Sequence, residues 1–294
     1  MNTYIMDGGI GKQVTFTAII DALVKKDKEQ IQICTFFSDI FKSNPNVKNI
    51  YAAWGYPREY GKSILESQNI FYKEPYRSNF VKGEIHIIQS WCELFDLKYE
   101  EKMRPELFTD HYNVDAKQVV GDGEFIVVQF SGGQDLGKGN QPVDWMYNFL
   151  RSYPDIFVQK VIDLIKEKYE NLRILCFALP NEPKYEKTEP LELMPFVQWH
   201  EILKMSNCKG FISIDSCLPH IARSAGRRGV VIWCGSRWTQ LGYKQNMNIN
   251  NWRIEWDEWD NEKFEVQDPR NIMVEPERVF EQFEKIYGKG LINV

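Results

Sequence analysis

Residues 211–236 read FISIDSCLPHIARSAGRRGVVIWCGS, and the order of their patterns decides the fold. An apolar run, GFISIDS (210–216), ends in an aspartate and a serine. LPHIARSAG (218–226) follows with helical spacing and with Pro219 in a first turn, where a missing amide is tolerated. RGVVIWCG (228–235) is a second apolar run, bounded by glycines. Strand, helix and strand in succession make a βαβ unit of a parallel sheet. A helix that starts just past a strand end offers free N–H groups and a positive dipole end at the mouth of the sheet, a seat for phosphate. Asp215, Ser216, Cys217, Leu218 and His220 lie in or beside that turn, and an imidazole there donates a hydrogen bond to an anion. The alternative reading is local: Asp215 or Ser216 caps the helix and His220 is a packed core residue.

The same alternation runs outward in both directions. EFIVVQFSGG (124–133) reads as a buried strand, DIFVQKVIDLIKEKY (155–169) as an amphipathic helix, LRILCFAL (172–179) as a strand and WHEILKMSN (199–207) as a helix. An earlier unit opens the chain. TYIM (3–6) is a short strand, Asp7-Gly8-Gly9-Ile10-Gly11-Lys12 a turn able to approach a ligand closely, and QVTFTAIIDALVKK (13–26) a helix ending in lysines. IQICTFF (31–37) is its second strand, followed by a turn at 44–46 and a short apolar run. HIIQSWCELFDLKYEEK (86–102) reads as a helix and residues 103–124 as a linker. The expectation is an α/β protein of two Rossmann-like doubly wound halves, residues 1–120 and 121–294, with EPERVFEQFEKIYGKG (275–290) as a closing amphipathic helix.

Composition bounds the function classes. At 43% apolar and 26% charged residues the chain has globular character, with no apolar run near the roughly 18 residues that cross a bilayer and no signal-peptide pattern. A formal charge of -5 gives no global reason to bind a polyanion. Six scattered cysteines without a C-x-x-C pair fit free thiols in a reducing cytoplasm, not a disulfide framework or a zinc site.

Taken together, DGGIGKQVTFTAIIDAL with NPNVKNI, and FISIDSCLPHIARSAGRRGVVIWCGS, resemble the glycosyltransferase family that contains the ADP-heptose:lipopolysaccharide heptosyltransferases. The resemblance implies the GT-B architecture, two facing Rossmann-like domains with the donor held by the second and a last helix (about 276–288) crossing back onto the first. In that family a D-[ST]-G-x-x-H-L-A-like loop binds the donor diphosphate; here it reads D-S-C-L-P-H-I-A, so Asp215, Ser216 and His220 correspond while Cys217 replaces the glycine. By the same resemblance Lys138, in SGGQDLGKG (131–139), meets phosphate, and Ser236 and Arg237, in GSRWTQLGY (235–243), line the donor pocket. The chain has no D-x-D motif, and its acidic stretch EWDEWDNE (255–262) reads as solvated surface. The implied reaction is inverting, metal-independent transfer of a sugar from a nucleotide diphosphate sugar to an acceptor hydroxyl, with no cofactor.

The glycine turn departs from the family. Gly8, Gly9 and Gly11 form the acceptor-side loop, yet Lys12 stands where the family carries the acid that deprotonates the acceptor, and a lysine is a poor base unless its pKa is strongly depressed. Three readings stay open: Asp7 supplies the carboxylate, Asp39 does so, or Lys12 binds an anion in a protein that has lost or changed its catalysis. Asp7 is taken as the catalytic residue. A non-catalytic nucleotide-sugar or sugar-binding protein is the competing class. A dinucleotide oxidoreductase ranks below it, because the turn lacks a full G-x-G-x-x-G. The acceptor, whether glycan, protein, small molecule or modified DNA base, is not legible.

Overall fold

In the computed structural model the described residues are 1–52, 61–63, 65–76, 79–110, 115–131, 152–177, 182–191, 195–234, 236–250 and 273–287. The first half builds a parallel sheet from β1 (Asn2–Met6), β2 (Ile31–Thr35), β3 (Val47–Ala52) and β4 (Asn69–Tyr72), in the order β3-β2-β1-β4. The second builds another from β5 (Phe125–Gln129), β6 (Arg173–Phe177), β7 (Glu189–Leu191), β8 (Cys208–Ile214), β9 (Gly229–Trp233) and β10 (Met247–Asn250). Its order is β10-β9-β8-β5-β6-β7, again parallel throughout. In each sheet the chain builds outward on one side of its first strand and then returns to the other. The two reversals fall between β1 and β4 and between β5 and β8, and crevices at the carboxyl ends of such strands are where open α/β sheets bind ligands.

Alternation along the strands of the second sheet divides its side chains between two cores. Phe125, Val127, Phe211, Val231 and Trp233 point one way, toward α6 (Phe196–Lys204) and α7 (Leu218–Ser224). Ile126, Val128, Ile212, Ile214, Val230 and Ile232 point the other way, toward α5 (Asp155–Lys168) and α9 (Pro276–Ile286). The inward layer is continuous with the core of the first half, where Tyr4, Met6, Phe16, Ile19 and Trp91 pack. One apolar cluster therefore runs through both halves. Its polar rim includes Thr109 Oγ1 to Glu201 Oε1 (2.7 Å) and the Leu107 amide to Ser224 Oγ (3.0 Å).

Three expectations need correction. The helix read over 13–26 is broken into α1 (Ile10–Phe16), a 3-10 turn (Thr17–Ile19) and α2 (Ile20–Asp27). Thr15 and Thr17 explain the break, since their hydroxyls donate to the carbonyls of Lys12 (2.8 Å) and Val14 (2.6 Å), and Thr17 Oγ1 also accepts from the Glu106 amide. The linker holds a short helix, α4 (Ala116–Val120), capped by the Asp115 carboxylate; α3 (Ile87–Leu94) precedes it. Most consequential, α9 does not cross back onto residues 1–120. Val279, Phe283 and Ile286 are buried on the outer face of the second sheet, against α5, β9 and β10, and Tyr169 donates to Glu284. Without α9 the outward apolar residues of β9 and β10 would lose part of their cover.

Phe283→Ala should accordingly cost about 3–5 kcal/mol of unfolding free energy, the usual loss for a buried aromatic. Urea denaturation measures it, and wild-type stability in the variant would contradict this placement of α9.

Candidate active site

Both reversals carry polar clusters, and the two meet. At the first, β1 is followed by Asp7 and β4 by Lys73 and Glu74. Gly8 takes φ +73°, a left-handed conformation open to glycine, and a Cβ there would lie 3.3 Å from Lys12 Cδ. The turn thus folds the Lys12 stem inward beneath it. Lys12 Nζ reaches Asp7 Oδ1 at 2.6 Å and Glu74 Oε2 at 2.7 Å, with only 4% of the side chain exposed, against 32% for Asp7 and 29% for Glu74. Tyr72 donates its phenol to the other oxygen of Asp7. Burial opposes the Lys12 charge, but the two carboxylates outweigh it and hold the ammonium above its ordinary value. Burial likewise pushes Asp7 up, and the hydrogen bonds from Lys12 and Tyr72 overcome that, so its carboxyl sits below the ordinary range.

At the second reversal Ser216 Oγ lies 2.7 Å from Gln129 Oε1, tying the end of β8 to the end of β5. Asp215 is buried and accepts from Ser236 at the end of β9. Ser131 donates to the buried Glu182 at 2.8 Å. The expected open helix end is absent at α7. The Leu218 amide donates to Ser216 Oγ (3.2 Å), Pro219 has no N–H, and the amides of His220 and Ile221 both go to the Cys217 carbonyl (3.1 Å). Ser216 and Cys217 therefore act locally as caps, and the His220 side chain, not the helix amides, is the polar group α7 contributes.

Gly11 joins the two clusters. A Cβ on it would stand 3.1 Å from His220 Cδ2, 3.6 Å from His220 Nε2 and 3.6 Å from Cys217 Cα, so the start of α1 rests directly on the start of α7. Around a Cβ built on Gly9, which precedes α1 with no capping side chain, no atom of the described residues lies within 4 Å. On its other edge His220 Nδ1 is 2.9 Å from the Tyr243 hydroxyl, and the Tyr243 ring packs on His86, which caps α3. Arg237 lies against the first half: a Cβ on Gly83, at φ +79°, would come within 2.7 Å of its Nη1.

Of the residues singled out from sequence, Asp7, Gly8, Gly9, Gly11 and Lys12 form one cluster, and Asp215, Ser216, Cys217, Leu218, His220 and Ser236 another. Arg237 is exposed at the seam between the halves. Lys138 and the stretch 255–262 lie outside the described residues. Asp39 is engaged elsewhere, paired with Lys42 at 2.6 Å. Lys12 does not present a cation to an anionic ligand, because its charge is buried between two carboxylates. Sequence reading missed Glu74, Tyr72, Gln129, Glu182, His86 and Tyr243. The run NIFY (69–72), which has strand composition just before Lys73 and Glu74, was the available signal for the first two.

No protein-family model matches the chain, and no curated protein sequence does. Solved structures do match its fold. A family 9 glycosyl transferase from Veillonella parvula is similar at TM-score 0.64 and 11% identity, over 97% of this chain and 96% of that one. The Escherichia coli ADP-heptose lps heptosyltransferase II is similar at TM-score 0.60 and 12% identity, over 97% and 98%. TibC, an iron-containing dodecameric heptosyltransferase from enterotoxigenic E. coli determined with ADP-D-beta-D-heptose, is similar at TM-score 0.58 and 13% identity, over 98% of this chain and 73% of that one. The two parallel sheets with their helices are the α/β architecture of these GT-B proteins.

The ion pair has a pH signature. Asp7, with its pKa depressed, contributes stability above the ordinary value of 3.8 and loses it as pH falls through the lower folded value. Lys12, with its pKa raised, contributes below 10.5 and loses it as pH rises through the higher folded value. Lys12→Met should therefore lose about 2 kcal/mol at mid-pH, the scale of a hydrogen bond to a charged group. In urea unfolding that deficit should shrink at about pH 3, where carboxylates protonate. An equal deficit at both pH values would contradict the pairing.

Proposed function

We propose that this protein is a glycosyltransferase moving a sugar from a nucleotide diphosphate sugar to an acceptor hydroxyl, with inversion and without a divalent metal. The observation that carries the reading is the meeting of two strand-end clusters at the Gly11–His220 contact, carboxylates on one side and a histidine with aspartate and serines on the other. Solved proteins of the same fold are described as heptosyltransferases, one of them in complex with a nucleotide sugar, which favours that donor class.

In this reading the donor diphosphate lies by His220 and the open turn at Gly9, with Lys138 as a further cation. As the acceptor oxygen forms its bond to the anomeric carbon, the bond from that carbon to the diphosphate breaks on the opposite face. The departing oxygen's negative charge is met by the imidazole N–H. The acceptor proton goes to a carboxylate of the Lys12 pair. Asp7 has both oxygens occupied, by Lys12 and Tyr72, whereas among the described residues Glu74 Oε1 accepts the Tyr76 amide at 3.3 Å. Glu74 is the better placed base, and Asp7, the residue chosen from sequence, stays ionised beside Lys12. The cysteines, all free and five of them buried, fit a reducing, cytoplasmic setting.

Glu74→Gln should leave ADP affinity near wild type and reduce turnover by about 10² or more, the range of general base catalysis. Asp7→Asn should reduce it less, and the reverse ranking would return the base to Asp7. His220→Ala should weaken ADP binding about tenfold, on the scale of one charge-assisted hydrogen bond. Turnover should persist in excess chelator; loss that Mg²⁺, Mn²⁺ or Fe²⁺ restores would refute metal independence. A wild-type protein that binds nucleotide sugars but neither transfers nor hydrolyses them would return the binding-protein reading.

A further inference from the structure

We propose that Tyr243 is the positioning residue of the donor side: its phenol donates to His220 Nδ1 and thereby keeps the imidazole proton on Nε2, the edge turned to Gly11. The inference rests on the donor role of His220 proposed above. Tyr243 is buried, and its hydroxyl has one hydrogen-bond partner among the described residues, His220 Nδ1 at 2.9 Å. Burial pushes the phenol up, so it keeps its proton, and a buried O–H is costly to leave without an acceptor. Two of the groups around the ring do not compete for that proton. Arg223, whose guanidinium lies 6.0 Å from the ring centroid, has donors only. His86, packed at 5.3 Å between centroids, already uses its Nδ1 to accept the Ile88 amide at 3.2 Å. Burial pulls His86 down to about 4, so it stays neutral beside Tyr243.

A neutral imidazole that accepts through Nδ1 carries its hydrogen on Nε2. The Cδ2–Nε2 edge faces Gly11, so the N–H is aimed at the junction of the two halves, where the departing diphosphate is proposed to lie. His220 then meets the donor as a fixed hydrogen-bond donor that need not first take up a proton.

Multiple-bond ¹H–¹⁵N spectra of the full chain at neutral pH test this directly, with the four histidines assigned by difference against His220→Asn. The expected result is a protonated Nε2 and an accepting Nδ1. A wild-type His220 protonated at Nδ1 overturns the proposal, and this arm needs no stable Tyr243 variant. Tyr243→Phe keeps the ring on His86 and should let the Nδ1–H tautomer appear, with ADP affinity reduced about three- to tenfold. An unchanged tautomer in that variant also overturns the proposal. If His220→Ala loses ADP while Tyr243→Phe binds it as wild type does, only the positioning role fails. If His220→Ala itself binds ADP normally, the donor-side reading falls with it.

Discussion

Everything at the centre of the molecule depends on two helix starts touching where one of them has no side chain. At Gly11 even a methyl group would press on the His220 ring, 3.1 Å from its Cδ2. With hydrogen in that place, α1 and α7 converge and the strand ends behind them share one crevice. The two sheets have the same chain reversal, and the contact brings the polar clusters at the two reversals together.

The lysine in the glycine turn looks like the loss of an acid, but in three dimensions it is an exchange. Lys12 draws Asp7 from β1 and Glu74 from beyond β4 onto one ammonium, so the turn region still carries a net negative charge. An ammonium held this way is a strut that fixes two carboxylates. Tyr72, 62% exposed with its hydroxyl on Asp7, stands at the outer edge of this arrangement.

Strands were legible in the sequence where both faces are covered. β2, β5 and β9 are buried at every position, and their mostly apolar sequences (IQICT, FIVVQ, GVVIW) say so. β4, β7 and β10 were missed because each is a sheet edge, short and partly solvated, without the longer run that a strand covered on both faces carries. The site divides the same way. Asp215, Ser216 and His220 stand out because one local turn holds them. Glu74 reaches Lys12 across 62 residues of chain and Tyr243 reaches His220 across 23, and spacing in a single sequence does not encode pairings that only the fold brings together. The placement of α9 failed for another reason: its apolar stripe says that it packs, not on which partner.

The apolar cluster shared by the halves also bears on cooperativity. When two domains have separate cores, one can melt while the other persists, and a linker marks where they part. Here Phe16 and Trp91 of the first half belong to the same buried cluster as Trp199 and Ile221 of the second. Neither half can shed its neighbour without wetting its own interior. The boundary near residue 120 is thus a division of topology and not of stability, and the chain should unfold in one transition whose calorimetric and van't Hoff enthalpies agree.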